Sequence, residues 1–494
     1  MKSIICAQGA QGAASKRLLC AVSSLLALSL VLRPDLGQAS KGAAVEDSSL
    51  RPSVTSAAPA LALDPAALQA EVARIQYEVS AERGIPADAP IRVEVASADQ
   101  LRNRMFQLIL EEVGAEKVAI SQRVNETLGL LPRGTSYLEI MLSTLQRQVA
   151  GYYDYRVRTF YLMDTDAANF SSEIIEHELI HALQDLRWPM GAMIRPEWSA
   201  SDLTTSRSML IEGDATLFML RQVLEGLPPG SQIPALRTFS RVMENNFYET
   251  EPDLPRFMAH SMIAPYAHGL AFAGTLYFGQ DAGWDGVNRA FDDLPLSTEQ
   301  VLYPERWQAE TRDEPTFLTN ALDTERLGER KLVDIIGMAG IRGTYNDLLD
   351  GVLSSARVEM ATEAWDGDRF EYWEDELYFT LVWTLVFDSV EGANAFYALS
   401  ETLVPTWLRG GELKGAEGAH GARVGGATKE RAVVLERWGD AVVLVIREAF
   451  EHGNEEALRL DSLATASRAL QTHQRFQYPQ TFRTPKGRDT ASPR

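Results

Sequence analysis

Three features of the 494-residue chain predict an α+β fold. Helical-period segments fill most of the chain up to about residue 310, an aromatic β-hairpin interrupts them, and the later sequence turns to alternating strands around a helix. With 45% hydrophobic and 23% charged residues, the chain has the apolar surface to build a large core.

Residues 1–39 read as an export signal. Lys16 and Arg17 precede LLCAVSSLLALSLVL, a run too short to span a bilayer comfortably, and GQAS supplies small residues for cleavage near Ala39. An uncleaved N-terminal anchor is the alternative. The chain's 2 cysteines, Cys6 and Cys20, both fall in this segment. The exported chain would therefore form no disulfide and rely on core size or bound metal for stability. Cys20 starts the apolar run instead of following it, which argues against lipid attachment there. A formal net charge of -21 predicts a surface that repels nucleic acid and anionic lipid. No membrane span is expected after signal cleavage.

Residues 40–66, rich in Ala, Ser and Pro, predict a flexible leader. From Pro65 to Gln148 the spacing is helical, as in ALQAEVARIQYEV and QLRNRMFQLILEEV, with a strand-like IRVEVA between. VAGYYDYRVRTFYLMD places two aromatic, β-branched runs about a polar centre, which predicts a hairpin. It leads into SSEIIEHELIHALQDLRW, a helix that Ser171 or Ser172 can cap, that Glu173 suits at its positive end and that Pro189 stops. SRSMLIEGDATLFMLRQVL is a second long helix, and mostly helical sequence continues to about Trp307. Residues 67–310 thus form one predicted domain.

Residues 311–472 predict a C-terminal α+β module. LYFTLVWTLVFD alternates as a strand, VEGANAFYALSETL as a helix, and AVVLERWGDAVVLVIREAF as a hairpin turning at Gly439 and Asp440. GGELKGAEGAHGARVGGATK reads as a glycine-rich loop, and residues 473–494 as a disordered tail.

The chemistry lies in HELIH. Residues four apart on a helix are separated by about 40° around the axis, so His177 and His181 project side by side and can bind one ion. Glu178 stands close enough to take a proton from a ligand of that ion. HExxH on a helix is the zinc-hydrolase arrangement, and the chain has only 7 histidines. Zinc needs at least a third protein ligand. In LIEGDATLFM, Glu212 occupies a position that should be apolar, among Leu210, Ile211, Ala215 and Leu217, and so needs a buried partner. Glu212 is the predicted third ligand; Asp214 faces nearly the opposite way. Gly213 and Ala215 would let another helix approach closely. Asp185, one turn past His181, is a candidate to orient it, and Tyr266 and His268 are candidate hydrogen-bond donors to a charged intermediate. His260, His420, His452 and His473 show no metal spacing. The hairpin Gly151 to Leu162 could offer an edge strand to an extended substrate or could be core.

With these residues the chain resembles the zincins, specifically the gluzincin pattern of HExxH followed by a helical glutamate, here HELIH and IEGDA. It is also similar to a group of prokaryotic exported proteins that combine a GFYD-like hairpin, HELxHALQD, LxEGDAT, PYxxG and STEQxLHPExY. Here these segments read GYYD, HELIHALQD, LIEGDAT, PYAHG and STEQVLYPERW. The similarity runs over residues 100 to 310, and WDGDRFEYW with the strand-rich module looks related too. The resemblance implies a zincin-like catalytic domain, Zn2+ held by His177, His181 and Glu212, and Glu178 as general base. Tyr303 and Trp307 depart from the His and Tyr of the last segment. Thr216 stands where some gluzincins carry an orienting aspartate.

The expected function is that of an exported zinc-dependent hydrolase, a metallopeptidase acting on peptide or protein. Two rivals stand beside it: a binding or scaffolding protein with a structural metal, and a metal hydrolase of an envelope amide or ester.

Overall fold

A computed structural model describes residues 64–164, 172–194, 200–279, 282–310, 312–418, 421–451 and 453–479. The signal segment, nearly all of the leader and the end of the tail lie outside the described residues. The fold is α+β, as the sequence predicts. Among the described residues no helix is long and apolar enough to cross a membrane.

The first half is built on helices α1 (Pro65–Arg83), α2 (Ala98–Glu112), α3 (Ala115–Leu128) and α4 (Tyr137–Gln148). The predicted hairpin follows as β2 (Gly151–Asp154) and β3 (Thr159–Met163), antiparallel with Gly151 opposite Leu162. The strand-like IRVEVA is β1 (Arg92–Ala96), which pairs parallel with β3, so β3 is the centre of a three-stranded sheet and β2 an edge. All four β2 residues are buried, which favours the core reading of the hairpin. Then come α5 (Ser172–Arg187), α6 (Ser201–Glu225), α7 (Gln232–Thr250), α8 (Arg256–Phe278) and α9 (Gly283–Asp292). Glu173 in the first turn of α5 and Arg187 in its last turn suit the helix dipole, and Leu179, Ile180 and Leu183 are fully buried in the first core.

The approach that Gly213 and Ala215 predict is made by α8. A Cβ on Gly213 would stand 2.1 Å from the Gly269 carbonyl oxygen, and one on Gly269 would stand 2.0 Å from that of Met209. Only glycine at both positions lets the two backbones touch.

After β4 (Phe317–Thr319), the second half is an antiparallel seven-stranded sheet in the order β5-β6-β7-β11-β10-β9-β8. The strands are β5 (Glu329–Asp334), β6 (Trp365–Glu374), β7 (Tyr378–Phe387), β8 (Lys414–Gly418), β9 (Gly421–Ala427), β10 (Arg431–Trp438) and β11 (Ala441–Ala449). Its helices are α10 (Gly337–Leu348), α11 (Ser355–Thr362), α12 (Val390–Glu401) and α13 (Glu455–Thr472). Trp438 pairs with Ala441, so Gly439 and Asp440 make a two-residue turn as expected, Gly439 at φ +60°.

Two expectations are corrected here. The glycine-rich stretch is a β8–β9 hairpin: glycine at 421 is required because a Cβ there would stand 2.1 Å from the Arg437 carbonyl oxygen of β10. Order also continues past residue 473, where β12 (Gln474–Phe476) pairs with β4 and Tyr478 is buried. The halves share a core, since Ile120, Leu128, Leu203 and Leu296 pack with Phe370, Trp383 and Leu444 of the sheet.

Candidate metal centre

Helices α5 and α6 bring HELIH and IEGDA together. His177 Nε2 lies 3.2 Å from Glu212 Oε2, His181 Nε2 lies 3.3 Å from the same oxygen, and the two Nε2 atoms are 3.0 Å apart. Zinc bonds of about 2.0–2.1 Å in tetrahedral geometry put ligand atoms roughly 3.3 Å apart. The spacing therefore fits a single small divalent ion, and the donor set of two imidazoles and a carboxylate is of zinc type.

Electrostatics point the same way. Both histidines are 0% exposed and Glu212 is 2% exposed, so a bare carboxylate there needs a cation. Burial drives the His177 imidazole down to about 4. At His181 burial pulls in the same direction, but the Glu212 carboxylate, with Glu178 and the Gln184 hydrogen bond, outweighs it and holds the ring's proton up to about 9. A metal ion at this place would supply the positive charge that a proton on His181 otherwise provides.

The orienting partner of His181 is Gln184, not Asp185. Gln184 Oε1 is 2.9 Å from His181 Nδ1, while its amide nitrogen donates to the Ile211 carbonyl at 3.0 Å and to Asp214 at 2.8 Å. Both of those partners only accept, so the amide oxygen must face His181, the imidazole carries N–H on Nδ1, and Nε2 keeps its lone pair for a metal. Asp214 is held in turn by buried Arg83 at 2.9 and 3.1 Å, and Arg83 reaches Asn288 at 3.0 Å. Asp214, which turns away from the centre, anchors its orienting residue. Asp185 instead docks the hairpin: it accepts from Tyr153 Oη at 3.3 Å and from the Met190 backbone N–H at 3.3 Å, and sits 3.7 Å from Arg158.

Glu178 is completely buried, and its charge acts on His181. Tyr266 packs near His177, the ring centroids 6.2 Å apart. His268 is not at this centre; it turns to Glu244 at 3.1 Å. The STEQVLYPERW segment does structural work. Thr298 donates from its hydroxyl and its backbone N–H to Asp202 at the start of α6, Gln300 ties Leu296 to Asp313, and the Tyr303 hydroxyl accepts from Arg342 at 2.8 Å. Trp307 donates from Nε1 to the Asp293 carbonyl at 3.1 Å.

Fold and site together define an α+β protein with a buried centre of two histidines and one glutamate, carried on two packed helices. A profile described as a domain of unknown function (DUF8575) matches residues 317–458, from β4 into the first turn of α13. No curated protein and no solved structure matches the chain.

Proposed function

We propose that the chain is an exported zinc-dependent hydrolase, a metallopeptidase of gluzincin type. The observation that carries this reading is the convergence of His177 Nε2, His181 Nε2 and Glu212 Oε2 within 3.0–3.3 Å, with Glu178 buried on the same helix. A bound Zn2+ would supply Lewis acidity, lowering the pKa of a water toward about 7 and polarising a substrate carbonyl. Glu178 takes the proton of the attacking water on a carboxylate oxygen and returns it to the leaving amine. Gln184 and Asp214 hold the His181 tautomer. Tyr266, beside His177, is the group placed to donate to charge growing on the carbonyl oxygen. Export follows from the reading of residues 1–39.

Purified chain challenged with a peptide library tests this. Glu178→Gln should retain zinc and lose about 10²–10⁴-fold in turnover, and His177→Ala should lose both. Cleavage that survives Glu178→Gln would sink the mechanism. Zinc retained with no peptide cleaved, but with envelope amides or esters hydrolysed, would move the reading to a non-peptide substrate.

Burial favours a second reading. Glu178 and the three ligands are at most 2% exposed, as in a closed structural centre that staples α5 to α6 in a scaffolding protein. Against it, the donors that converge among the described residues are three, the number a catalytic zinc site takes from protein where a structural one takes four. X-ray absorption of the zinc-loaded chain decides: a fourth protein ligand means a staple, an exchangeable water a catalyst.

A further inference from the structure

On the far side of α8 from Tyr266 lies another group of metal-type donors. Residues two apart on a helix project about 160° apart, so Tyr266 faces His177 while His268 turns toward α7. His260 sits two turns before His268, and the residue midway between them on that face is Ala264. Two turns cover roughly 11–12 Å of helix axis, yet the imidazole centroids are 5.9 Å apart. The rings lean toward each other over the small Ala264 side chain. Glu244 of α7 enters from the neighbouring helix, its Oε1 3.1 Å from His268 Nε2 and 3.6 Å from His260 Nδ1. One donor atom from each of the three lies within 4.8 Å of the others. Tyr248 reaches the same His260 nitrogen at 3.4 Å and lines a cavity of about 530 Å³ with Glu251, Asp253, Arg256 and Asp350.

We propose that Glu244, His260 and His268 form a second divalent-metal site that ties α7 to α8. Two imidazoles and one carboxylate select zinc-like transition ions over Ca2+ and Mg2+, which prefer all-oxygen shells. The site stands on other residues than the α5–α6 centre, with a different helix pair. Without a cation, the same side chains make only the close contact of His268 with Glu244, and zinc stoichiometry separates the two states.

The full chain, stripped of metal and titrated with Zn2+ against a chromophoric chelator, is the test. Wild type should take up two equivalents, His181→Ala one, His268→Gln one and the double variant none. Glu244→Gln should match His268→Gln; both side chains are partly exposed, and circular dichroism checks that each variant is folded. A wild type that binds one equivalent, lost in His268→Gln and kept in His181→Ala, would uphold this site and overturn the α5–α6 centre. One equivalent lost in His181→Ala and unaffected by His268→Gln or Glu244→Gln overturns the proposal.

Discussion

Glu212 and Asp202 are buried acids on one helix, about 15 Å apart along its axis, and their surroundings answer the charge in opposite ways. Glu212 faces two imidazoles whose nitrogens converge on its Oε2, so the charge can stay and be met by a cation. Asp202 faces the Thr298 hydroxyl and backbone N–H, with the carboxylates of Asp334 and Asp368 close enough to repel it. Burial, opposed by those two hydrogen bonds, pushes its carboxyl up to about 8. On the proposed reading, one end of α6 attracts a metal and the other keeps a proton. A buried acid therefore marks a ligand only when its neighbours donate lone pairs.

The sharpest way to break this comparison is to remove a lone pair. His181→Ala should release zinc from the α5–α6 centre through dialysis, as metal analysis of a His268→Gln background would show. Retention of the one equivalent that His268→Gln alone binds would mean that His181 is not a ligand of that zinc.

Next in size is the contact that places Glu212. Gly213→Ala puts a methyl against the backbone of α8, where no side chain can yield. It should cost about 3 kcal/mol or more and weaken zinc binding with it, because the neighbouring ligand moves too. Urea unfolding measures the first effect, and an unchanged midpoint would show that α6 and α8 are not in contact.

Gln184→Leu probes the partner that sets the imidazole tautomer. Zinc affinity should fall about 10–100-fold while the fold survives, the usual cost of losing an orienting hydrogen bond. Asp185→Asn should leave affinity unchanged, since Asp185 bonds to the hairpin. The reverse pattern would restore Asp185 as the orienting residue.

These outcomes depend on unequal legibility in the sequence. HELIH was readable because its spacing is local, and Glu212 because an acid interrupts an apolar helix face. Gln184 was not: it and Asp185 both stand about one turn from His181, and the choice between them is made by Ile211 and Asp214 on another helix. Glu244, His260 and His268 were invisible for the same reason, since two come from positions eight apart and the third from a separate helix. In the C-terminal sheet, alternation gave away β7, β10 and β11. The β8–β9 hairpin was hidden because glycine is rare in strands, and its reason lies in the close approach of β10. β12 depends on pairing with β4, more than 150 residues earlier in the chain, which no local pattern encodes.

The smallest expected effect tests the protonated end of α6. The groups facing Asp202 are Asp334, on the strand leading to α10, Asp368 on β6, Glu299 after the Ser297 cap, and Tyr478 near the C-terminus. Asp368 is itself raised to about 6 by burial, against its hydrogen bonds from the Ile336 and Gly337 backbone and from Trp383. Because the folded value for Asp202, about 8, exceeds the ordinary 3.8, the native state holds a proton that the unfolded chain has released. The stabilisation is complete below pH 4 and is lost as pH rises toward 8. Asp202→Asn keeps the oxygen that accepts from Thr298 and removes the titration. The variant should gain steadily on wild type as pH rises from about 5.5 to about 8.5, read as converging or crossing urea midpoints. Parallel pH profiles would mean that Asp202 is already ionised in the folded protein, and that a cation, not a proton, answers the charge at both ends of the helix.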